Sequence, residues 1–176
     1  ELQSKETQEK TYESLASSPF NKIRFCVFPK HYVYNLKEPA QYPFEIRENS
    51  PWSPSDFETE KLEKAPRNMF GGIDAMIENP DEVWDYTRPN PSYFEHIENT
   101  IARLGTMGIQ ADLILFHPYD RWGYSRMNLE QQNFYLRYVV NRFSAYHNVW
   151  WAMANEFDLF RWKPVSEWES NAETVC

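Results

Sequence analysis

Three places in this chain set ionisable or hydrogen-bonding side chains at or beside an apolar run. The first is Asn155-Glu156, which follows Val149-Trp150-Trp151-Ala152-Met153-Ala154. The second is His117, which ends Ala111-Asp112-Leu113-Ile114-Leu115-Phe116 and precedes Pro118-Tyr119-Asp120-Arg121-Trp122-Gly123. The third is Arg24, inside Lys22-Ile23-Arg24-Phe25-Cys26-Val27-Phe28. An unbroken apolar run such as 149–154 suits a strand covered on both faces by helices, as in a parallel sheet. Polar groups placed where such a strand emerges lie at the carboxyl end of the sheet, where α/β enzymes carry out their chemistry. A carboxyl group there can give or take a proton, so Glu156 is the first candidate for catalysis. The plainer alternative is that Asn155-Glu156 opens a loop, since the dipeptide is short and common. A guanidinium inside an apolar strand needs a partner, so Arg24 either faces a solvated barrel mouth or pairs with a carboxylate there.

The elements that must position these groups alternate. Residues 1–17 read as a polar helix with Leu2, Tyr12, Leu15 and Ala16 as its few apolar contacts, ended by Ser17-Ser18-Pro19. Pro29 closes the strand that holds Arg24. From Lys30 to about Arg88 comes an extended loop, rich in Pro, Tyr, Trp and charge, with a short helix near Pro80–Trp84. Its aromatic content argues against disorder, and Lys30, His31, Tyr32, Trp52, Trp84 and Asp85 are candidates to line a cleft beside it. Asn90-Pro91 starts a helix whose Phe94, Ile97, Ile101 and Leu104 face the core, with Gly105 or Gly108 to end it. Asn128 and Gln131 form a capping pair for a helix through about Tyr146, and Ser166 and Glu169 are a candidate capping box for a last one, with Trp168, Ala172 and Val175 as its apolar stripe. Three strands separated by helices imply right-handed crossovers and a wound α/β sheet or barrel.

Composition narrows the function. The chain has 176 residues, one ordinary domain, whereas a complete (β/α)8 barrel usually needs ~250. A net charge of −8 argues against a polyanionic partner, so nucleic acid is not expected. No apolar run approaches a membrane span and no signal peptide is present. The missing initiator Met leaves the compartment, cytoplasmic or secreted, open, and the sequence sets no oligomeric state. No Gly-rich fingerprint follows a strand, which disfavours a dinucleotide or P-loop site. Cys26 reads as an inert core residue, and Cys26 with Cys176 gives neither a disulfide framework nor metal-ligand spacing. Aromatic residues make up 17% of the chain, and exposed rings bordered by polar groups suit the apolar C–H faces of sugars.

The segments around Asn21–Tyr32, Leu115–Gly123 and Trp150–Asp158 resemble the apiosidase-like branch of the retaining (β/α)8 glycoside hydrolases, a likeness that spans nearly the whole chain. The resemblance implies an α/β fold: a partial TIM barrel over residues 1–176, holding roughly the second to fourth strands with their intervening helices. It implies that Glu156 is the general acid/base, that Asn155 contacts the sugar, that Arg24 lies near the nucleophile, and that His117 floors the sugar site. Asp120, Arg121, Trp122, His31 and Tyr32 would then bind carbohydrate, with no metal and no cofactor. A proton donor of this kind needs its pKa raised, which burial among Trp151 and Phe157 would supply. The nucleophile of the family belongs to a later strand, so the chain is expected to be an N-terminal fragment that is inactive alone. The alternatives are a metal-dependent hydrolase using His31, His117, Asp120 and Glu156, and a non-catalytic carbohydrate-binding protein.

Overall fold

The computed structural model describes residues 4–31, 38–53, 77 and 79–176. Ten elements follow in order: α1 (Lys5–Ala16), β1 (Lys22–Cys26), β2 (Phe44–Ile46), α2 (Pro80–Val83), β3 (Trp84–Pro89), α3 (Pro91–Thr106), β4 (Gln110–Phe116), α4 (Leu129–Phe143), β5 (Val149–Ala154) and α5 (Val165–Val175). Strands β1, β4 and β5 form a parallel sheet with β4 in the middle. Lys22 is in register with Gln110, Arg24 with Asp112, and Asp112 in turn with Trp150.

The helices begin and end for local reasons. The Asn90 side chain accepts from the Ser92 amide at 3.1 Å with Pro91 in the first turn, and α3 terminates where Gly108 takes a φ of 71°. At α4 the expected reciprocal pair forms: the Gln131 amide donates to Asn128 Oδ1 at 3.0 Å, and the Asn128 amide donates to Gln131 Oε1 at 2.8 Å. The box expected at Ser166 and Glu169 does not form. Helix α5 starts two residues earlier than that box would place it, behind Pro164 with φ −70° and ψ 156°, so Ser166 already lies inside it. Of the expected stripe, Trp168 and Val175 do pack against the core, but Ala172 is exposed and Asn171 is fully buried in its stead.

Phe94, Ile97, Ile101 and Leu104 of α3 and Tyr135, Leu136, Val139 and Phe143 of α4 are all buried with Ala111, Leu113 and Leu115 of β4. The Tyr135 hydroxyl donates to the Leu115 carbonyl at 3.0 Å, and Asn148 Nδ2 donates to the Ile101 and Ile109 carbonyls at 2.9 and 3.1 Å. These bonds satisfy polar groups that burial would otherwise penalise. Cys26 is half-buried, and desolvation pushes its thiol up to about 11, in keeping with an inert residue.

Two expectations need correcting. Strand β5 is not fully covered among the described residues: Val149, Trp151, Met153 and Ala154 pack against the core, whereas Trp150 is 54% exposed. The segment 30–89 is also not all loop, because β2 and β3 pair antiparallel within it, with Ile46 opposite Trp84 and Glu45 opposite Asp85. Trp84 and Tyr86 point inward and are buried. Trp84 meets Tyr42, Trp52 and Tyr124 at ring separations of 5.0, 5.3 and 5.2 Å, an aromatic cluster that roofs the carboxyl side of the sheet. Gly123, with φ 88°, abuts Pro80 so closely that an added Cβ would lie 2.7 Å from the proline Cβ.

Candidate active site

The carboxyl ends of the three parallel strands are stitched together. His117, directly after β4, directs Nε2 to the Phe28 carbonyl beyond β1 at 3.2 Å, and the Asn155 amide beyond β5 donates to the Phe116 carbonyl at 2.9 Å. Glu156 is therefore fixed one residue past a bond to the residue that precedes His117. Its backbone takes φ 50° and ψ 52°, the left-handed region that a residue with a Cβ adopts only at a cost. Among the described residues Glu156 is the one non-glycine position with positive φ. Its side chain is exposed, its carboxylate has no hydrogen-bond or ion-pair partner among the described residues, and Asn155 beside it is half-buried. The burial expected from Trp151 and Phe157 is absent, because Phe157 is 60% exposed.

His117 is buried, and desolvation pulls its imidazole down to about 4. The ring is thus neutral at physiological pH, with Nε2 donating to the carbonyl and Nδ1 left as an unpartnered buried acceptor. It stacks on Tyr119, whose ring also lies beneath the Lys30 ammonium at 4.3 Å.

The loop after His117 is where sequence and structure part. Asp120, Arg121, Trp122 and His31 were all expected to meet sugar, yet each is buried and engaged. Asp120 accepts from the amides of Trp122, Gly123 and Ser125 at 2.8, 3.0 and 2.6 Å, so it shapes the turn rather than binding a ligand. Burial raises its carboxyl above the ordinary value while those amides pull the other way. Arg121, wholly buried, pairs with Glu38 and lies 3.0 Å from His31 Nε2; desolvation brings it down to about 10, still charged at neutral pH. The Trp122 indole donates to Glu38, and the Trp122 carbonyl accepts from Trp84 Nε1 at 2.7 Å. Glu38 also accepts from the Tyr42 hydroxyl at 2.7 Å. This carboxylate gathers three donors from two loops and was missed by the sequence reading, which offered no signal for it beyond a charge inside an aromatic-rich loop.

The remaining lining candidates divide similarly. Trp52 and Trp84 belong to the aromatic cluster, and Asp85 accepts from the Thr87 hydroxyl at 2.7 Å, which lowers its pKa. Tyr32 lies outside the described residues. Arg24 does find a carboxylate, Asp112, with Nη2 2.9 Å from Oδ2, but at the other end of the sheet. It shares a level with Asp112 and Trp150, four strand residues and roughly 13 Å short of Ala154. The expectation that Arg24 attends the nucleophile at the mouth is therefore corrected.

Nor do His31, His117, Asp120 and Glu156 form a ligand set; among the described residues no three His, Cys, Asp or Glu side chains converge on a point. A cavity of about 370 Å³ runs along β1 between α1 and α3, past Leu15, Phe25, Tyr93 and Leu104, and touches neither His117 nor Glu156.

Comparison with known proteins matches residues 43–176 to the apiosidase-like catalytic domain family. Among solved structures, a candidate glycoside hydrolase from Bacteroides vulgatus is 39% identical with a TM-score of 0.76, covering 99% of this chain and 30% of that one. A glycoside hydrolase family 5 protein from the same organism (12% identity, TM-score 0.54) and another glycoside hydrolase (13%, 0.54) share the fold over 98% of this chain and 29% and 31% of theirs. The chain thus spans about 30% of the length of the solved structures it matches. No curated protein matches it.

Proposed function

Because the chain belongs to the apiosidase-like catalytic domain family, we propose that the full-length protein is a retaining glycoside hydrolase in which Glu156 is the general acid/base. In this reading residues 1–176 are one partial domain, and β1, β4 and β5 are the second to fourth strands of a (β/α)8 barrel. The observation that carries it is the backbone of Glu156: an exposed carboxylate held in a left-handed conformation at the carboxyl edge of a parallel sheet. Such strain persists where the surrounding structure enforces it, and function is the common reason.

A retaining mechanism uses two carboxyl groups ~5–5.5 Å apart. Glu156 protonates the departing oxygen and then deprotonates the water that releases the sugar; the nucleophile is assigned to the part of the protein that this chain does not span. Asn155 orients a sugar hydroxyl. His117, Asp120, Arg121, Trp122 and His31 act as positioning residues, fixing the loop and floor around that carboxylate from beneath, which their burial supports. The family's name makes apiose-bearing glycosides the first substrates to try.

The test is Glu156→Ala in the full-length protein. Activity on an apioside with a poor leaving group should fall by ~10²–10⁴, the usual worth of a positioned acid/base, and azide should restore turnover of an activated aryl apioside. Normal turnover by the variant would refute the assignment.

A further inference from the structure

The segment that begins at Asn155 leaves Phe116 and comes back to it. Asn155 donates its amide to the Phe116 carbonyl at 2.9 Å, and the Lys163 ammonium stands over the Phe116 ring, 5.0 Å from its centre. Between those two contacts the chain is a run of tight turns. The Glu156 carbonyl accepts from the Leu159 amide at 3.0 Å, that of Phe157 from the Phe160 amide at 3.1 Å, and that of Phe160 from the Lys163 amide at 2.9 Å. The left-handed turn at Glu156 is therefore the first turn of a closed loop, 155–163, whose far end is Lys163.

Lys163 is held from several sides. Its ammonium donates to Gln132 Oε1 of α4 and to Asn171 Oδ1 of α5, and lies 3.8 Å from the centre of the Trp168 ring. Gln132 and Asn171 are buried, and their amide nitrogens are spent on the Met127 carbonyl and on Asn133 Oδ1. Their oxygens are thus buried acceptors with Lys163 as the donor. Burial brings the amine down to about 8, while the Glu167 carboxylate pulls the other way, so the group is desolvated yet largely protonated at pH 7.

We propose that Lys163 is the positioning residue of Glu156: by closing the 155–163 loop on Phe116, α4 and α5 it holds the turn from which the proton donor projects. The inference rests on Glu156 being that donor. A residue with a Cβ stays left-handed only where its surroundings enforce it, and here the Phe116 carbonyl fixes the near end of the loop and Lys163 the far end. Proton transfer falls steeply when the donor is misplaced, so a slack loop is felt in the chemistry. A lysine that merely satisfied two amides between α4 and α5 would affect folding and nothing particular to Glu156.

The experiment uses the full-length protein and two substitutions. Lys163→Met keeps the apolar stem over Trp168 and removes the ammonium, whereas Lys163→Arg keeps a cation with its donors. Amide hydrogen exchange at Leu159 and Phe160 should accelerate about tenfold in the Met variant, with Leu136 and Val139 of α4 unchanged, and the Arg variant should recover most of the protection. On an apioside with a poor leaving group, Lys163→Met should lower kcat/KM by on the order of 10–100-fold when Glu156 is present and cause no further loss when it is added to Glu156→Ala. Unchanged exchange at Leu159 would overturn the proposal. Equal losses with and without Glu156, or faster exchange throughout α4, would reduce Lys163 to a structural residue and overturn it too. Normal turnover by Glu156→Ala would remove the acid/base assignment and the positioning role with it, even where exchange at Leu159 had accelerated, and that combination separates the two failures.

Discussion

The Asn155 amide donates to the Phe116 carbonyl at 2.9 Å, which extends the β4–β5 pairing by one bond beyond Ala154 and forces the chain to turn sharply at the next residue. Glu156 takes that turn in the left-handed region. The proposed proton donor and the backbone strain therefore fall on the same residue.

The strain can be measured apart from the chemistry. Glu156→Ala and Glu156→Gly both remove the carboxylate, but only glycine relieves the backbone. The Gly variant should be more stable than the Ala variant by about 1 kcal/mol in denaturant titration of the full-length protein, with both equally inactive. If Ala were the more stable of the two, the positive φ would carry no penalty.

Glu38 holds Arg121 in the interior. Glu38→Gln leaves that guanidinium without its counter-charge in a place water does not reach, and the expected cost is about 3–5 kcal/mol of stability. Adding Arg121→Met should return part of the loss, since the unpaired charge is then gone. A single-variant effect under about 1 kcal/mol would mean that the pair is solvated after all.

Acid should weaken the fold through His117. Its imidazole titrates near 6.5 when unfolded and about 4 when folded, so between those values the unfolded chain binds the extra proton. Stability contributed by the neutral ring is complete above pH 6.5 and is lost as the pH falls towards 4, by on the order of 3 kcal/mol. His117→Gln should flatten the melting-temperature profile across that window; an unchanged slope would assign the acid sensitivity elsewhere.

Much of this architecture was legible because its signals are local. The strands at 22–26, 110–116 and 149–154 announce themselves as apolar runs, and α3 and α4 by their caps and stripes. Strands β2 and β3 were not legible: Phe44–Ile46 is short, and it pairs with a strand beginning 38 residues after Ile46, so no window contains both partners. At the site the strand ends pointed to Glu156 and His117, but residue type alone could not say whether Arg121 and Trp122 faced a ligand or another loop. Their partner, Glu38, lies more than eighty residues earlier in the chain. Arg24 shows the same limit, since its need for a carboxylate was readable while its height along the strand was not.

The contact between Gly123 and Pro80 ties a surface excursion to the turn that shapes the floor. Loops of such length ordinarily drift freely among relatives, gaining and losing residues without penalty. Here the proline ring occupies the volume a larger residue at 123 would need, and the positive φ keeps glycine there regardless, so variation in this excursion is constrained from below.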